Sequence, residues 1–148
     1  MSKSRGQVPK GPAAASELVL ALLALVLAAG CSSTPAAEPG RALGERFSLR
    51  VGESARIRGE HATIVFERIV SDSRCAVDVQ CIRAGEARAA FRLETGGAAE
   101  ISFELDTDRE RTREVGGYRV TLVDVSPAPR STVRIAATGY RAEISVSR

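Results

Sequence analysis

Residues 86–106, EARAAFRLETGGAAEISFELD, decide the architecture of this chain. Ala87, Ala89, Phe91 and Leu93 alternate with Glu86, Arg88, Ala90 and Arg92. Gly96-Gly97 then turns the chain, and Ile101, Phe103 and Leu105 alternate with Glu100, Ser102, Glu104 and Asp106. A period of two places every second side chain on one face of an extended strand. Two such runs on either side of a Gly-Gly turn read as a half-buried antiparallel hairpin.

The same period recurs on both sides of this hairpin. Phe47, Leu49 and Val51 alternate with Ser48 and Arg50 before a turn at Gly52-Glu53. Ala55 and Ile57 make a short strand ended by Gly59-Glu60, and residues 63–70 make a third with β-branched residues on both faces. Tyr118, Val120 and Leu122 follow Gly116-Gly117, and Tyr140, Ala142, Ile144 and Val146 carry the pattern to the end of the chain. Of the six aromatic residues, Phe66 alone falls outside a clean alternation. Beyond the first thirty residues no stretch of period 3.6 runs for three turns. Seven or eight short strands over residues 46–148 predict a single immunoglobulin-like antiparallel β-sandwich, with a small β-barrel as the alternative. Residues 106–114 (DTDRERTRE) read as a solvated connection, and Pro127 and Pro129 suit a loop or an edge.

The start of the chain has a different composition. Lys3, Arg5 and Lys10 precede an unbroken apolar run from Leu18 to Ala29, followed by Gly30-Cys31. Twelve helical residues rise only ~18 Å, short of the ~30 Å hydrocarbon core, so the run predicts a secretory signal and not a permanent span. Ala28-Ala29-Gly30-Cys31 resembles the lipobox of bacterial lipoproteins, with Ala28 where leucine is commonest. The resemblance implies removal of residues 1–30 and attachment of lipid to Cys31; the alternative is ordinary signal cleavage leaving a free thiol. Residues 31–45, rich in Ser, Pro, Ala and Gly, then read as a lipid attachment site and flexible tether. This expectation places the domain in the bacterial cell envelope, lipid-anchored. Ser32 after the cysteine favours the periplasmic face of the outer membrane over the plasma membrane.

Discarding residues 1–30 removes three basic residues and one acid, so the formal charge falls from +3 to +1 (18 basic against 17 acidic residues). Both lysines leave with it, and the remaining arginines are interleaved with acids, as in Arg109-Glu110-Arg111. A nucleic-acid surface needs one sign of charge gathered on a face. None is predicted.

Cys75 and Cys81 are the only other cysteines. An oxidising exported compartment makes a disulfide the default for such a pair. A soft metal held by the two thiols with Asp72, Asp78 or His61 is the alternative, although a separation of five residues departs from zinc-knuckle and Cys-x-x-Cys spacing. Asp72 and Arg74 flank the loop and are placed to form a bracing ion pair, or Asp72 to cap backbone N–H groups.

Residues 71–87, SDSRCAVDVQCIRAGEA, resemble the signature of a family of small exported bacterial proteins, many of them lipoproteins. The pattern runs roughly Asp-Ser-Arg-Cys-Pro, a few residues, Cys, an apolar residue, Trp-Ala-Gly. Asp72, Ser73, Arg74, Cys75, Val79, Cys81, Ala84 and Gly85 match it, whereas Ala76 stands in place of proline and Arg83 in place of tryptophan. The resemblance implies an exported domain and no particular activity. Asp72, Arg74 and Arg83, the last standing where the pattern has tryptophan, are the residues expected to brace the loop or bind through it.

Catalytic patterns are missing. His61 is the only histidine and sits beside Glu60 at a turn; there is no Gly-x-Ser-x-Gly elbow, phosphate loop, His-Glu-x-x-His or dinucleotide fingerprint. The sequence therefore predicts a non-catalytic envelope module without cofactor or resident metal. Such a module would bind a periplasmic protein or other envelope partner through the stapled 71–85 loop. Inhibition of an exported protease by that loop, or metal handling, are the alternatives.

Overall fold

The structure, a computed structural model, describes residues 40–97 and 99–148. The signal expected at 1–30, Cys31 and the expected tether as far as residue 39 lie outside the described residues. Eight strands form: β1 (Arg46–Arg50), β2 (Ser54–Arg56), β3 (Ala62–Asp72), β4 (Ala87–Thr95), β5 (Glu100–Asp106), β6 (Thr112–Val115), β7 (Tyr118–Ser126) and β8 (Arg141–Ser147). They make two four-stranded sheets, ordered β1-β8-β7-β6 and β2-β3-β4-β5, with every pairing antiparallel. The domain is thus an all-β sandwich, and not a closed barrel. It shares the two-layer architecture of immunoglobulin domains; β2–β5 and β6–β8 each run as a meander, and β1 adds beside β8.

The opening hairpin folds as its alternation requires. Phe91 lies opposite Phe103 across β4 and β5, and opposite Phe66 across β3 and β4. The rings stack at 5.3 Å (Phe66–Phe91) and 5.9 Å (Phe91–Phe103), a spacing that adds to the area they bury. Ala87, Ala89, Phe91 and Leu93 are all fully buried, packed in one core with Leu49, Val120, Leu122, Ile144 and Val146 from the other sheet.

Phe66 escapes the alternation because β3 is bulged. Its register against β4 shifts between Phe66 and Arg68 and again between Ile69 and Ser71. An extra residue in one strand breaks a simple period while keeping the flanking residues on their proper faces. The bulges bring Asp72 opposite the fully buried Ala87, so the end of β3 turns a carboxylate toward the space between the sheets.

Two expectations are corrected. The charge-dense run at 106–114 is not wholly a solvated connection, because residues 112–114 belong to β6, a four-residue edge strand whose one buried residue is Val115. The end of the tether is not free. Arg41 N–H donates to the Arg56 carbonyl at 2.8 Å, Arg58 N–H donates to that of Arg41 at 2.8 Å, and Gly44 N–H donates to that of Val146 at 2.7 Å. Residues 40–45 hold these places because the short β2 leaves edge groups at Arg56 and Arg58 for the incoming chain to satisfy.

Candidate functional site

The register defines two poles. At one, the chain enters through residues 40–45 beside the hairpin turns at 57–61, 96–99 and 116–117. At the other lie the cysteine loop (residues 73–86) between β3 and β4, the β7–β8 connection (127–140) and the turns at 51–53 and 107–111. The cysteine loop is therefore at the pole away from the entry of the chain.

Cys75 and Cys81 are bonded as a disulfide. Below the bridge, the β3–β4 ladder continues into the loop: Ser73 N–H donates to the Glu86 carbonyl (2.8 Å) and Cys75 N–H to that of Ala84 (2.7 Å). Gly85 makes this possible. Its φ is +67°, and a Cβ there would lie 1.8 Å from the Ser73 carbonyl oxygen. Closing so short a loop covalently contributes ~2 kcal/mol through the unfolded chain.

Asp72 and Arg74 combine both of the roles weighed for them. Arg74 donates from Nε to Asp72 Oδ1 (2.9 Å) and from Nη2 to Oδ2 (2.8 Å), a bidentate pair, while the Arg74 backbone N–H donates to Oδ1 at 3.2 Å. Arg74 then crosses to the other sheet, where Nη1 donates to the Val125 carbonyl and Nη2 to that of Pro127 at 3.0 Å. Tyr140 Oη completes the cluster, donating to Asp72 Oδ2 at 3.3 Å. The side chains of Asp72 and Arg74 are only 9% and 13% exposed. Burial pushes the Asp72 carboxyl upward, but the hydrogen bonds and charge of Arg74 outweigh it and hold Asp72 below the usual carboxylate range. The same hydrogen bond holds the Arg74 guanidinium above its ordinary value, and burial beside Asp72 pushes the Tyr140 phenol up.

Arg83 is not part of this brace. It is exposed at the rim of an open cleft of about 310 Å³ lined also by Ser73, Gly85, Glu86 and Asp108. Among the described residues it makes no ion pair or side-chain hydrogen bond. A strand-to-strand stem leads Arg74 inward, whereas Arg83 follows the disulfide on the outer limb of the loop.

Several contributors have structural roles that the sequence did not indicate; Asp78 stood there only as a possible metal ligand. Asp78 receives Ser131 N–H and Oγ–H, both at 2.8 Å, and Val77 N–H donates to the Pro129 carbonyl at 3.0 Å. These bonds, of which the Ser131 backbone N–H is the chief cause, lower the Asp78 pKa and fasten the cysteine loop to the β7–β8 connection. Asp106, 3% exposed, accepts the backbone N–H groups of Asp108, Arg109 and Glu110 at 2.9, 2.7 and 2.9 Å. Burial raises its pKa, but the three donors prevail and hold it low. An aspartate just before a polar turn was the available signal for this cap. For Tyr140 and Ser131, more than fifty residues from their partners, the sequence offered none.

The thiols are consumed by the disulfide, and His61 is exposed in the β2–β3 turn at the other pole. Among the described residues no group of three or more His, Cys, Asp or Glu is placed to hold a metal ion, and no helix is long and apolar enough to cross a membrane. The tip of the cysteine loop leaves Val77, Val79 and Ile82 exposed. These side chains project from a loop closed by the disulfide. Compared with known proteins, the chain matches no family model, no curated protein and no solved structure.

Proposed function

We propose that the chain is a lipid-anchored envelope protein, cut before Cys31 and modified on that cysteine, whose sandwich is a non-catalytic binding module. Its binding face is the stapled loop at residues 71–85. The observation that carries this reading is the placement of that loop at the pole opposite the entry of the chain, with apolar side chains exposed on a framework fixed by a disulfide and a nearly buried ion pair. Extended, the nine residues from Cys31 to residue 39 reach at most ~30 Å, and the nine residues of β7 span about as far again. A tether with that reach would leave the far pole free to meet a partner, the surface of the anchoring membrane included. A loop ordered before contact loses less entropy on binding, which favours recognition.

The test has two arms. Palmitate labelling of cells is expected to mark the parent chain and not Cys31→Ser; equal labelling of both removes the anchor from the reading. In-cell crosslinking of the anchored protein, followed by mass spectrometry, is expected to give adducts that vanish in Val79→Asp/Ile82→Asp. Both positions are exposed, so the fold is unaffected. An unchanged set of adducts would overturn the assignment of the loop as the binding face.

A further inference from the structure

The exposed apolar tip has a set of unspent charges beside it. Ile82 is 104% exposed, Val77 61%, Val79 50%, and Val133 of the β7–β8 connection 57%. The bonds from Ser131 to Asp78 and from Val77 to Pro129 hold the two loops together, so these side chains belong to one pole. Residues 127–140 carry Arg130 and Arg134 and no acid; residues 73–86 carry Arg74 and Arg83 with Asp78 and Glu86. Glu86 is paired with Arg88 at 3.1 Å and Arg74 with Asp72, whereas Asp78, held only by the neutral Ser131, keeps its negative charge. Arg83, Arg130 and Arg134 are exposed and form no ion pair or side-chain hydrogen bond among the described residues. What remains on the two loops is an apolar tip with three cations in no ion pair against one such anion, Asp78; Asp108, in the cleft beside Arg83, is paired with Arg109 at 3.7 Å.

The chemistry of the tip discriminates between partners. Tight protein interfaces are anchored by aromatic side chains seated in shaped pockets, and this tip contains none. Protruding aliphatic side chains beside arginines suit the boundary between headgroups and acyl chains, which has no shape to match and rewards apolar area and cationic charge together. Resting on the reading of this pole as the binding face, we propose that its partner is an anionic lipid surface. Ile82, with Val77 and Val79, enters the headgroup boundary, and Arg83, Arg130 and Arg134 pair with the anionic headgroups.

The unlipidated domain, residues 40–148, carries all eight strands and the whole core and is the material for the test. It is sedimented with phosphatidylcholine vesicles and with vesicles in which about a third of the lipid is phosphatidylglycerol. Binding to the anionic vesicles is expected to be ~30-fold tighter than to the neutral ones and to weaken with salt, from three arginines near the surface less the charge of Asp78. Ile82→Asp is expected to lower it ~10-fold or more, Arg83→Ala/Arg130→Ala/Arg134→Ala to abolish the preference for anionic lipid, and Leu43→Asp at the other pole to change nothing. Absence of binding to the anionic vesicles, or unchanged binding by Ile82→Asp, overturns the proposal. If vesicles fail while loop-dependent crosslinks persist in cells, the partner is a protein: the lipid inference falls and the binding-face reading stands. Loss of both overturns both.

Discussion

At the cysteine pole, Arg74 and Tyr140 converge on Asp72; at the entry pole, Arg148 and Tyr118 converge on Glu60. Each cluster joins the two sheets with an arginine, a tyrosine and a carboxylate. Tyr118 Oη donates to Glu60 Oε2 at 2.9 Å, and Arg148 Nη1 donates to Oε1 at 3.3 Å while its guanidinium sits 5.5 Å from the centre of the Tyr118 ring. The composition matches; the enclosure does not. Arg148 is 65% exposed, against 13% for Arg74, and it meets its carboxylate through one hydrogen bond where Arg74 makes two and adds two carbonyls of the opposite sheet. An exposed pair is screened and contributes little, whereas a desolvated pair becomes costly to break once its geometry is complete. The difference teaches where the molecule fixes its shape: at the pole with the longest loop.

The comparison can be broken first at glycine. Gly85→Ala places a Cβ on the Ser73 carbonyl and strains a positive φ, and a loss of ~4 kcal/mol or more is expected in denaturant unfolding. Gly117→Ala at the entry pole has a φ of +81° but meets nothing within 4 Å, and is expected to cost only ~1 kcal/mol. Equal losses would show that the close approach at Gly85 does not matter.

The arginines give the next contrast. Arg74→Met leaves the Asp72 carboxylate enclosed and unpaired, with an expected loss of ~3 kcal/mol. Arg148→Met is expected to cost less than ~1 kcal/mol, because Glu60 keeps Tyr118 and its solvent. Similar unfolding midpoints for the two variants would refute the ranking of the poles.

Removing the staple ranks third. Cys75→Ser/Cys81→Ser is expected to lose ~2 kcal/mol and to speed amide exchange at positions 75 and 79, leaving the exchange of β7 and β8 unaltered. Uniformly faster exchange would mean the disulfide supports the whole sandwich and not the loop alone.

Acid has the smallest effect. Asp72 and Asp106 are held below their unfolded values, so the unfolded chain binds more protons through that window and stability rises with pH there. Their contribution is complete above about pH 4 and disappears as pH falls through the lower folded values. Asp72→Asn is expected to flatten the pH dependence of stability below pH ~4, measured by unfolding across that range. An unaltered slope would remove Asp72 from the acid response.

Much of this structure was legible in the sequence wherever one face is buried and one is wet. Seven strands, the two-layer arrangement and the clean hairpin at 86–106 follow from alternation, because the pleat itself has a period of two. The cysteine pair and the Asp72–Arg74 brace are local, two to six residues apart, and their chemistry is readable at that distance. β6 was hidden because an edge strand of four residues with one buried side chain has no alternation to show. The bulges in β3 concealed Phe66 by breaking the period that would have revealed it. Tyr140 and Ser131 meet their partners only through the pairing of distant strands, and Asp106 looked like one more charge in a charged run until its burial distinguished it. Arg83 divides the two roles read for it: the loop carries it outward, away from the brace, and leaves binding as the role open to it.

Position-resolved photocrosslinking in cells tests the central claim most directly. A photoreactive residue placed at position 82 on the cysteine loop, or at position 117 on the entry pole, reports what each pole touches. Adducts, whether with lipid or protein, are expected from position 82 and not from position 117. Adducts from position 117 alone, or equally from both, would contradict the assignment of the stapled pole as the face through which this protein acts.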